Sequence, residues 1–191
     1  MLTEKNVHIC NDNVSSNVIF KEIGPLEVVR GQTITIEEGY FTLCYIDGIN
    51  YDDFGNGTYE IDDSKVGEKM ILNVFNKKQQ ICPFGQKLIC GDEEISLAGS
   101  LVFEVKDFYK FANSELGKKK EVWTVVPFSV KDTYMKNGIS FIELRSFIQN
   151  YLRSDYVTKA LNPNNLIQSL RIVLTEKLSI YGIELLDIYK N

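Results

Sequence analysis

The sequence predicts an α+β fold with an antiparallel N-terminal β-sheet, then helices, then one closing C-terminal strand. Short β-branched and aromatic runs, separated by turn residues, fill residues 26–101. Helix-capping patterns begin at Asp107, and a helical stripe near the C-terminus ends at Gly182 and leads directly into an apolar strand. Strands that come first and helices that follow them in a separate block are typical of the α+β class.

The length and charge of the chain limit its organisation and its partners. With 191 residues and 21.9 kDa, we expect one domain at 18–191 after a weakly patterned N-terminal segment, 1–17. Residues 18–106 are expected to be β-rich and residues 107–191 to be α/β. The net charge of -5 argues against a nucleic-acid partner, because phosphate binding requires clustered lysine and arginine. The one basic run, 118–120, is interpreted as a solvated turn.

Nothing in the sequence predicts a membrane-spanning or secreted protein. No stretch approaches the roughly 18 apolar residues that span a bilayer, and the N-terminus does not follow the pattern of a signal peptide. Four cysteines in a chain without a secretion signal predict reduced thiols. We therefore expect a cytoplasmic protein whose contact with a membrane, where there is any, is peripheral or made through a partner.

Alternation and turn residues predict the strands. Residues 33–37 have the period of two that is typical of a half-buried strand. An aromatic and β-branched run at 40–46 ends at the Asp-Gly pair 47–48, a strong hairpin signal. A Gly-Asn-Gly turn at 55–57 directs the chain into a strand at 58–61. Further strands are predicted at 18–23 (closed by Gly24-Pro25), 26–29, 70–76, 87–90, 95–105, 122–130 and 183–189.

Capping residues predict where the helices begin. Asp107 is expected to cap a short helix, and Ser140 with Glu143 forms a capping box for a second helix. Asn162 and Pro163 provide the cap and the first turn of the last helix. The predicted apolar stripe of this last helix consists of Leu166, Ile167, Leu170, Val173, Leu174 and Leu178.

The single histidine gives little basis for nucleophilic catalysis or for a zinc site. A Ser-His-Asp or Cys-His system would have to use His8, for which a surface or edge-strand position is the favoured interpretation. The cysteines form no C-x-x-C pair, and one histidine does not complete a typical structural zinc site. Cys82 and Cys90 could face each other across a hairpin, but buried free thiols are favoured.

Acidic pairs and turn glycines are assigned to structure. The acidic groups lie at 37–38, 52–53, 62–63 and 92–94. Carboxylates in turns keep strand edges soluble, and a glycosidase-like pair is the alternative. A calcium loop beginning at Asn50 fails, because Phe54 and Ile61 occupy ligand positions. The Gly-Asn-Gly turn leads into a strand, whereas a phosphate-binding loop leads into a helix. We therefore expect no catalytic, cofactor-binding or metal-binding residues.

Six segments form an ordered pattern along residues 18–190. They are VVRGQ at 28–32, IDG at 46–48, GNGTY at 55–59, ILNVFN at 71–76, GSLVFEVKDFYKF at 99–111 and GIELLDI at 182–188. In their order and spacing they resemble the SPFH family, the band-seven superfamily of stomatin, prohibitin and flotillin. The pattern is most similar to the soluble bacterial branch of that family, often labelled virion-core-like.

The resemblance implies a scaffold domain that forms rings or arrays at membranes and organises protein partners, with no catalytic residues and no cofactor. Membrane-bound relatives carry an N-terminal anchor that this chain does not show, so we expect peripheral membrane contact. A homo-oligomer is expected. Ile172 lies off the stripe of the last helix, where a core position is favoured over contact with a neighbouring molecule.

Two other function classes stay open at the level of the sequence. The first is a β-rich ligand- or carbohydrate-binding module. Its stacking residues would be Tyr40, Tyr45, Tyr51, Tyr59 and Trp123. The second is a hydrolase that uses acidic turn residues. The period-two placement of most of these aromatics favours ordinary sheet positions.

Overall fold

The structure, a computed structural model, describes residues 5–90, 93–124, 150–151, 153 and 163–190. The chain divides into two compact units: unit 1 consists of Met1–Lys78 and Gly117–Trp123, and unit 2 of Gln79–Leu116 and Thr124–Asn191. The described strands are β1 Asn6–Ile9, β2 Val18–Glu27, β3 Thr33–Ile36, β4 Tyr40–Ile46, β5 Ile49–Phe54, β6 Gly57–Glu60, β7 Lys69–Asn76, β8 Gln80–Cys90, β9 Glu93–Val105, β10 Glu121–Trp123 and β11 Ile183–Lys190. The helices with described bounds are α1 Phe108–Ala112 and α2 Pro163–Ser179.

The smaller sheet of unit 1 has the strand order β1-β3-β6. β1 runs parallel to β3, with Val7 opposite Ile34 and Ile9 opposite Ile36. These four side chains are buried, whereas the polar residues that alternate with them are exposed or half-buried. β6 pairs with β3 in the antiparallel direction. The period of two therefore places the apolar side chains of β1 and β3 on one face of the sheet.

The larger sheet of unit 1 is built around β7. Its strand order is β10-β2-β7-β4-β5, and β7 pairs antiparallel with both β2 and β4. Leu72, Val74 and Phe75 of β7 are fully buried. The ring of Phe75 packs against that of Phe20 on β2, with the centroids 5.1 Å apart. The core of unit 1 is thus centred on a strand that has neighbours on both sides.

The turn between β4 and β5 confirms the predicted hairpin. Asp47 and Gly48 have φ angles of 47° and 78°, and a type I′ turn requires a positive φ at both positions. The Asp47 carboxylate accepts a hydrogen bond from the Lys69 amide at 2.9 Å, and the Asp47 amide donates to the Lys69 carbonyl at 2.8 Å. Asp47 therefore also joins the turn to the start of β7.

Unit 2 contains a three-stranded antiparallel sheet of order β11-β9-β8, and α2 packs on β11. The buried stripe of α2 has one leucine every four residues: Leu166, Leu170, Leu174 and Leu178. Arg171 of α2 donates a hydrogen bond to the Asp187 carboxylate of β11. The predicted helix and the strand that follows are confirmed; of the predicted stripe, the four leucines are buried, whereas Ile167 and Val173 are half-buried. No helix among the described residues is long and apolar enough to cross a bilayer.

The turn at Gly182 joins the end of α2 to the start of α1. Gly182 has a φ of 73°, and its carbonyl accepts hydrogen bonds from the amides of Lys106 and Asp107 at 2.9 and 3.1 Å. A Cβ atom at position 182 would lie 2.5 Å from the Asp107 carbonyl oxygen. Asp107 in turn caps α1, because its carboxylate accepts a hydrogen bond from the Lys110 amide at 2.8 Å. Both the positive φ and the close approach require glycine here.

The predicted α+β class is wrong, because the protein is mainly β. Strands make up 50% of the structure, and the described strands form three sheets. The helices do not follow the sheets as one block, since β10 lies between the two described helices and β11 follows the second. Capping residues predicted where helices begin, but α1 has only 5 residues. A capping residue indicates where a helix begins but not how long it is, because helix length depends on tertiary packing.

Several strands are longer than predicted. The strand predicted at 18–23 does not end at Gly24-Pro25, because β2 continues to Glu27 with a register shift between Ile23 and Leu26. An irregularity of this kind lets a strand accommodate proline. The short strands predicted at 87–90 and 95–105 belong to β8 and β9, which have 11 and 13 residues.

Two predicted elements lie wholly or partly outside the described residues. The capping box at 140–143 is outside them, although Asn150, Tyr151 and Arg153 have helical backbone. Of the strand predicted at 122–130, Val122 and Trp123 belong to β10, Thr124 follows it, and residues 125–130 lie outside the described part. The N-terminal segment, which showed little pattern, contains β1. The predicted domain boundaries stay a prediction.

We expect Gly182→Ala to destabilise the protein more than Gly48→Ala does. Both glycines have a positive φ, which costs an L-residue about 1–2 kcal/mol. A Cβ at position 48 meets no atom within 4 Å, whereas one at position 182 meets the Asp107 carbonyl. The extra displacement is expected to cost about 1–3 kcal/mol. Urea unfolding of both variants measures this difference, and equal midpoints would contradict the close approach.

We expect Asp187 to contribute to stability at neutral pH and not in strong acid. The hydrogen bond from Arg171 is the main cause that lowers the pKa of Asp187. A lowered folded-state pKa stabilises the protein above the unfolded value of about 3.9, and this contribution is lost as the pH falls through the folded value. The melting temperature of Asp187→Asn should therefore lie below that of the wild type at pH 7, and the two should converge as the pH falls through the lowered pKa of Asp187.

The control for this experiment is Glu184→Gln on the same strand. Glu184 lies 3.6 Å from Lys106, and both side chains are more than half exposed, at 53% and 59%. An exposed pair of this kind contributes little to stability. A pH-dependent change in melting temperature that is as large in Glu184→Gln as in Asp187→Asn would contradict the assignment to Asp187.

Candidate functional site

His8, Cys10 and Glu37 form the one cluster of at least three potential metal ligands found among the described residues. The parallel pairing of β1 with β3 brings them together. His8 lies on β1, and Ile9 pairs with Ile36 at the ends of the two strands. The Glu37 amide then donates to the Ile9 carbonyl at 2.9 Å, so the pairing extends by one residue. Cys10 and Glu37 therefore follow neighbouring strand ends.

The side chains of this cluster are close to one another and open to solvent. The ligand atoms of the three residues lie within 4.8 Å of each other, and His8 Nε2 is 3.3 Å from Glu37 Oε1. The side chains of His8 and Glu37 are 55% and 50% exposed, and Cys10 is partly buried. The position predicted for His8, at the surface of an edge strand, is confirmed.

Asn13 fixes the backbone that carries His8 and Cys10. Its side-chain carbonyl accepts a hydrogen bond from the Cys10 amide at 3.0 Å, and its side-chain amide donates to the His8 carbonyl. The backbone amides of Asn13 and Val14 donate to the Cys10 carbonyl at 3.3 and 2.9 Å. The turn after β1 is thus held by four hydrogen bonds, and two of them come from one side chain.

Tyr40 lies near the cluster and is part of the core. It is 2% exposed, and its hydroxyl donates to the Val14 carbonyl at 2.7 Å. Burial is the main cause that raises the pKa of Tyr40, and the negative charges of Cys10 and Glu37 raise it further. The electrostatic environment next to the cluster is therefore one that disfavours additional negative charge.

The cluster has the donor types for two kinds of chemistry. A thiol, an imidazole and a carboxylate can act as nucleophile, base and orienting group, or they can bind a metal ion. Nucleophilic catalysis gains most in a site from which water is excluded. The exposure of His8 and Glu37 favours metal binding over catalysis.

The acidic pair at 62–63 stabilises turns, whereas Asp52 and Asp53 lie within strand β5. Asp62 caps a short turn, where its carboxylate accepts a hydrogen bond from the Ser64 amide at 2.7 Å, and this bond is the main cause that lowers the pKa of Asp62. The Asp63 carboxylate accepts from the Gly31 amide at 3.0 Å. The structural interpretation of residues 62 and 63 is confirmed. Glu37 is the exception, because it joins the cluster at β1.

The aromatic residues proposed for ligand stacking do not form one exposed surface. Tyr40 and Trp123 are buried, at 2% and 9% exposure. Tyr59 stacks on Phe54, with the ring centroids 4.5 Å apart, and the Tyr51 hydroxyl accepts a hydrogen bond from the Asp62 amide at 3.3 Å. Sheet packing and turn contacts thus account for most of the set, as the period of two predicted.

The cysteines outside the cluster do not form a redox pair. Cys82 and Cys90 lie on the same strand, β8, about 27 Å apart along it at 3.4 Å per residue, so the predicted contact across a hairpin is wrong. Cys44 and Cys82 are fully buried and free. Burial is the main cause that raises the pKa of the Cys44 thiol to about 12. The interpretation of Cys82 as a buried free thiol is confirmed, whereas the same interpretation of Cys90 concerns a side chain outside the described part of the structure.

The segment VVRGQ at 28–32 forms a turn around a buried glutamine. Gln32 has no exposed surface, and its side-chain carbonyl accepts a hydrogen bond from the Val29 amide at 3.2 Å. Gly31 has a φ of 67°, which the turn requires. The Gln32 carbonyl accepts from the Ile61 amide at 2.9 Å. The order Gly-Gln thus has a structural reason of its own.

Sequence reasoning missed the cluster because Glu37 is distant from His8 and Cys10 along the chain. The residues His8 and Cys10 are separated by one position, so on an extended strand they share a face. That spacing was the available signal. The parallel register that adds Glu37 is non-local and does not follow from the pattern of either strand.

Comparisons with known proteins add no assignment. No protein-family model matches the chain, and no curated protein is detectably similar in sequence.

We expect Cys44 to be protected from alkylation in the folded protein and Cys10 to react. A pKa of about 12 reduces the thiolate fraction of Cys44 at neutral pH by about a thousandfold relative to an ordinary thiol. Cys10 is partly exposed. Iodoacetamide labelling followed by peptide mass spectrometry measures both rates. Labelling in urea is the control, and rapid native labelling of Cys44 would contradict its burial.

Proposed function

We propose that the chain is a non-enzymatic scaffold domain of the SPFH type that associates with copies of itself. In this proposal it acts in the cytoplasm, peripheral to a membrane surface, where it organises protein partners. The ordered segments at 28–32, 46–48, 55–59 and 99–111 support the family, and the surface of unit 2 supports self-association.

The observation that carries the proposal is the uneven distribution of exposed apolar side chains between the two units. Of the large apolar residues found exposed among those described, unit 1 has Ile49 and Val66. Those of unit 2 are Ile81, Tyr109, Ile172, Ile180 and Tyr189. Unit 2 therefore offers more exposed apolar side chains for contact with another molecule than unit 1 does.

Ile172 is the most exposed of these residues in unit 2. It is 70% exposed on α2, so the favoured core position is wrong, and its predicted place off the buried stripe is confirmed. Ile180 follows α2 and is 61% exposed. Leu170 and Leu174, which flank Ile172 by two positions, are fully buried. An isoleucine that helix packing leaves in water is stabilised when a neighbouring molecule covers it.

The sheet of unit 2 offers a second means of association. Within the described residues, β8 and β11 each pair with β9 alone, so each is an edge strand. Ile81 on β8 is 58% exposed and Tyr189 on β11 is 55% exposed. Edge strands with unpaired backbone groups can pair with a strand of another molecule. The two edges differ in sequence, so a contact between them is head-to-tail.

The direction of the two edge strands fits a repeating contact. β8 and β11 are both antiparallel to β9, and they therefore run in the same direction. Copies repeated in one orientation would place β8 of one molecule beside β11 of the next as a parallel pair. Such a contact gives a ring if the rotation closes and an open array if it does not.

We expect the wild-type chain to form higher oligomers as its concentration rises, and Ile172→Glu and Ile81→Lys to weaken this association. A charge introduced into an apolar contact should reduce the free energy of association by at least about 1.4 kcal/mol, which corresponds to a tenfold higher dissociation constant. Sedimentation velocity over a wide concentration range measures the association. The same runs with anionic and with neutral lipid vesicles test for recruitment to a membrane surface.

Ile49→Glu is the matched control for these variants. Ile49 is also an exposed isoleucine, at 74%, but it belongs to unit 1. Its substitution should leave the oligomer distribution unchanged. A chain that stays monomeric at every concentration, or association that only Ile49→Glu weakens, would contradict the proposal.

A further inference from the structure

We propose that His8, Cys10 and Glu37 bind one zinc ion, with water as the fourth ligand. The site lies in unit 1, whereas the residues through which the chain is proposed to associate belong to unit 2. It consists of one nitrogen, one sulfur and one oxygen donor at the end of the β1–β3 pair.

The set of donors selects zinc over calcium and magnesium. Calcium and magnesium prefer oxygen ligands alone, so a thiolate and an imidazole disfavour them. Zinc is bound by cysteine sulfur, histidine nitrogen and carboxylate oxygen, commonly in a tetrahedron. Three protein ligands and one water are typical of zinc sites that keep an open position. With Cys10 and Glu37 deprotonated and His8 neutral, the ligands also balance the charge of the ion.

The distances in the cluster are close to those that zinc requires. Bonds of about 2.0–2.3 Å to a tetrahedral ion place the ligand atoms about 3.3–3.8 Å from one another. His8 Nε2 and Glu37 Oε1 already lie 3.3 Å apart, and all three ligand atoms lie within 4.8 Å. The remaining difference is at most about 1.5 Å, which rotation of partly exposed side chains can supply.

The backbone beneath the site is fixed, and this favours a built site over a chance contact. His8 and Cys10 alternate with Val7 and Ile9, whose burial anchors β1 at 4% and 0% exposure. The Asn13 side chain bonds to the backbone of both His8 and Cys10. The same contacts close the turn after β1, and they hold the backbone of both ligands in place.

The test is zinc binding to the full-length chain, measured by equilibrium dialysis with elemental analysis. All variants carry Cys90→Ser, which removes a thiol outside the cluster. We expect about one zinc ion per chain, and at least tenfold weaker binding in His8→Ala, Cys10→Ser and Glu37→Gln. Asn13→Ala should weaken binding by about tenfold through the backbone that it holds.

Glu38→Gln is the matched control, because Glu38 is the exposed acidic neighbour of Glu37 outside the cluster. Glu38→Gln should bind zinc as tightly as the parent, which is the chain that carries Cys90→Ser alone. Cobalt provides a second readout, since a thiolate ligand gives a charge-transfer absorption band that Cys10→Ser should abolish. Circular dichroism verifies that each variant is folded. Absence of zinc binding by the parent, or binding that Cys10→Ser leaves unchanged, would overturn the proposal.

Discussion

Unit 2 depends on a single backbone contact at the end of its long helix. The Gly182 carbonyl accepts hydrogen bonds from the amides of Lys106 and Asp107. These bonds fix the point at which α2 ends and β11 begins. From that point β11 pairs with β9 from Ile183 onward, while the leucine stripe of α2 packs on the sheet. A side chain at position 182 would push the two segments apart. The arrangement of helix, sheet and exposed Ile172 follows from this contact.

Local chemistry decided which features the sequence could predict. The turn at 47–48 and the helix that begins at Pro163 depend on residues adjacent in the chain, so their signals are readable. β8 and β9 pair with each other along nearly their whole length, and β9 also pairs with β11 near the end of the chain, so both strands extend beyond the local runs that predicted them. The cluster around His8 was not predicted, because it depends on a pairing between two separate segments of the chain. Its carboxylate, Glu37, is supplied by a parallel register that neither strand encodes alone.

The two units carry different kinds of surface. Unit 2 exposes large apolar side chains on a helix and on two edge strands, which is the chemistry of contact between proteins. Unit 1 exposes a polar cluster with three donor types at the end of a strand pair. The buried thiol of Cys44, whose pKa burial raises to about 12, belongs to neither surface. Assembly and ligand binding could therefore vary separately, since they draw on different residues.

The shared direction of β8 and β11 has a further consequence for any assembly built on the sheet. An array that propagates from one edge to the other is polar, and its two ends are chemically different. One end presents β8 and the opposite end presents β11. A partner that contributes a single short strand to one of these ends would stop growth there and leave the other end free. The length of the array would then be set by the supply of that terminating strand.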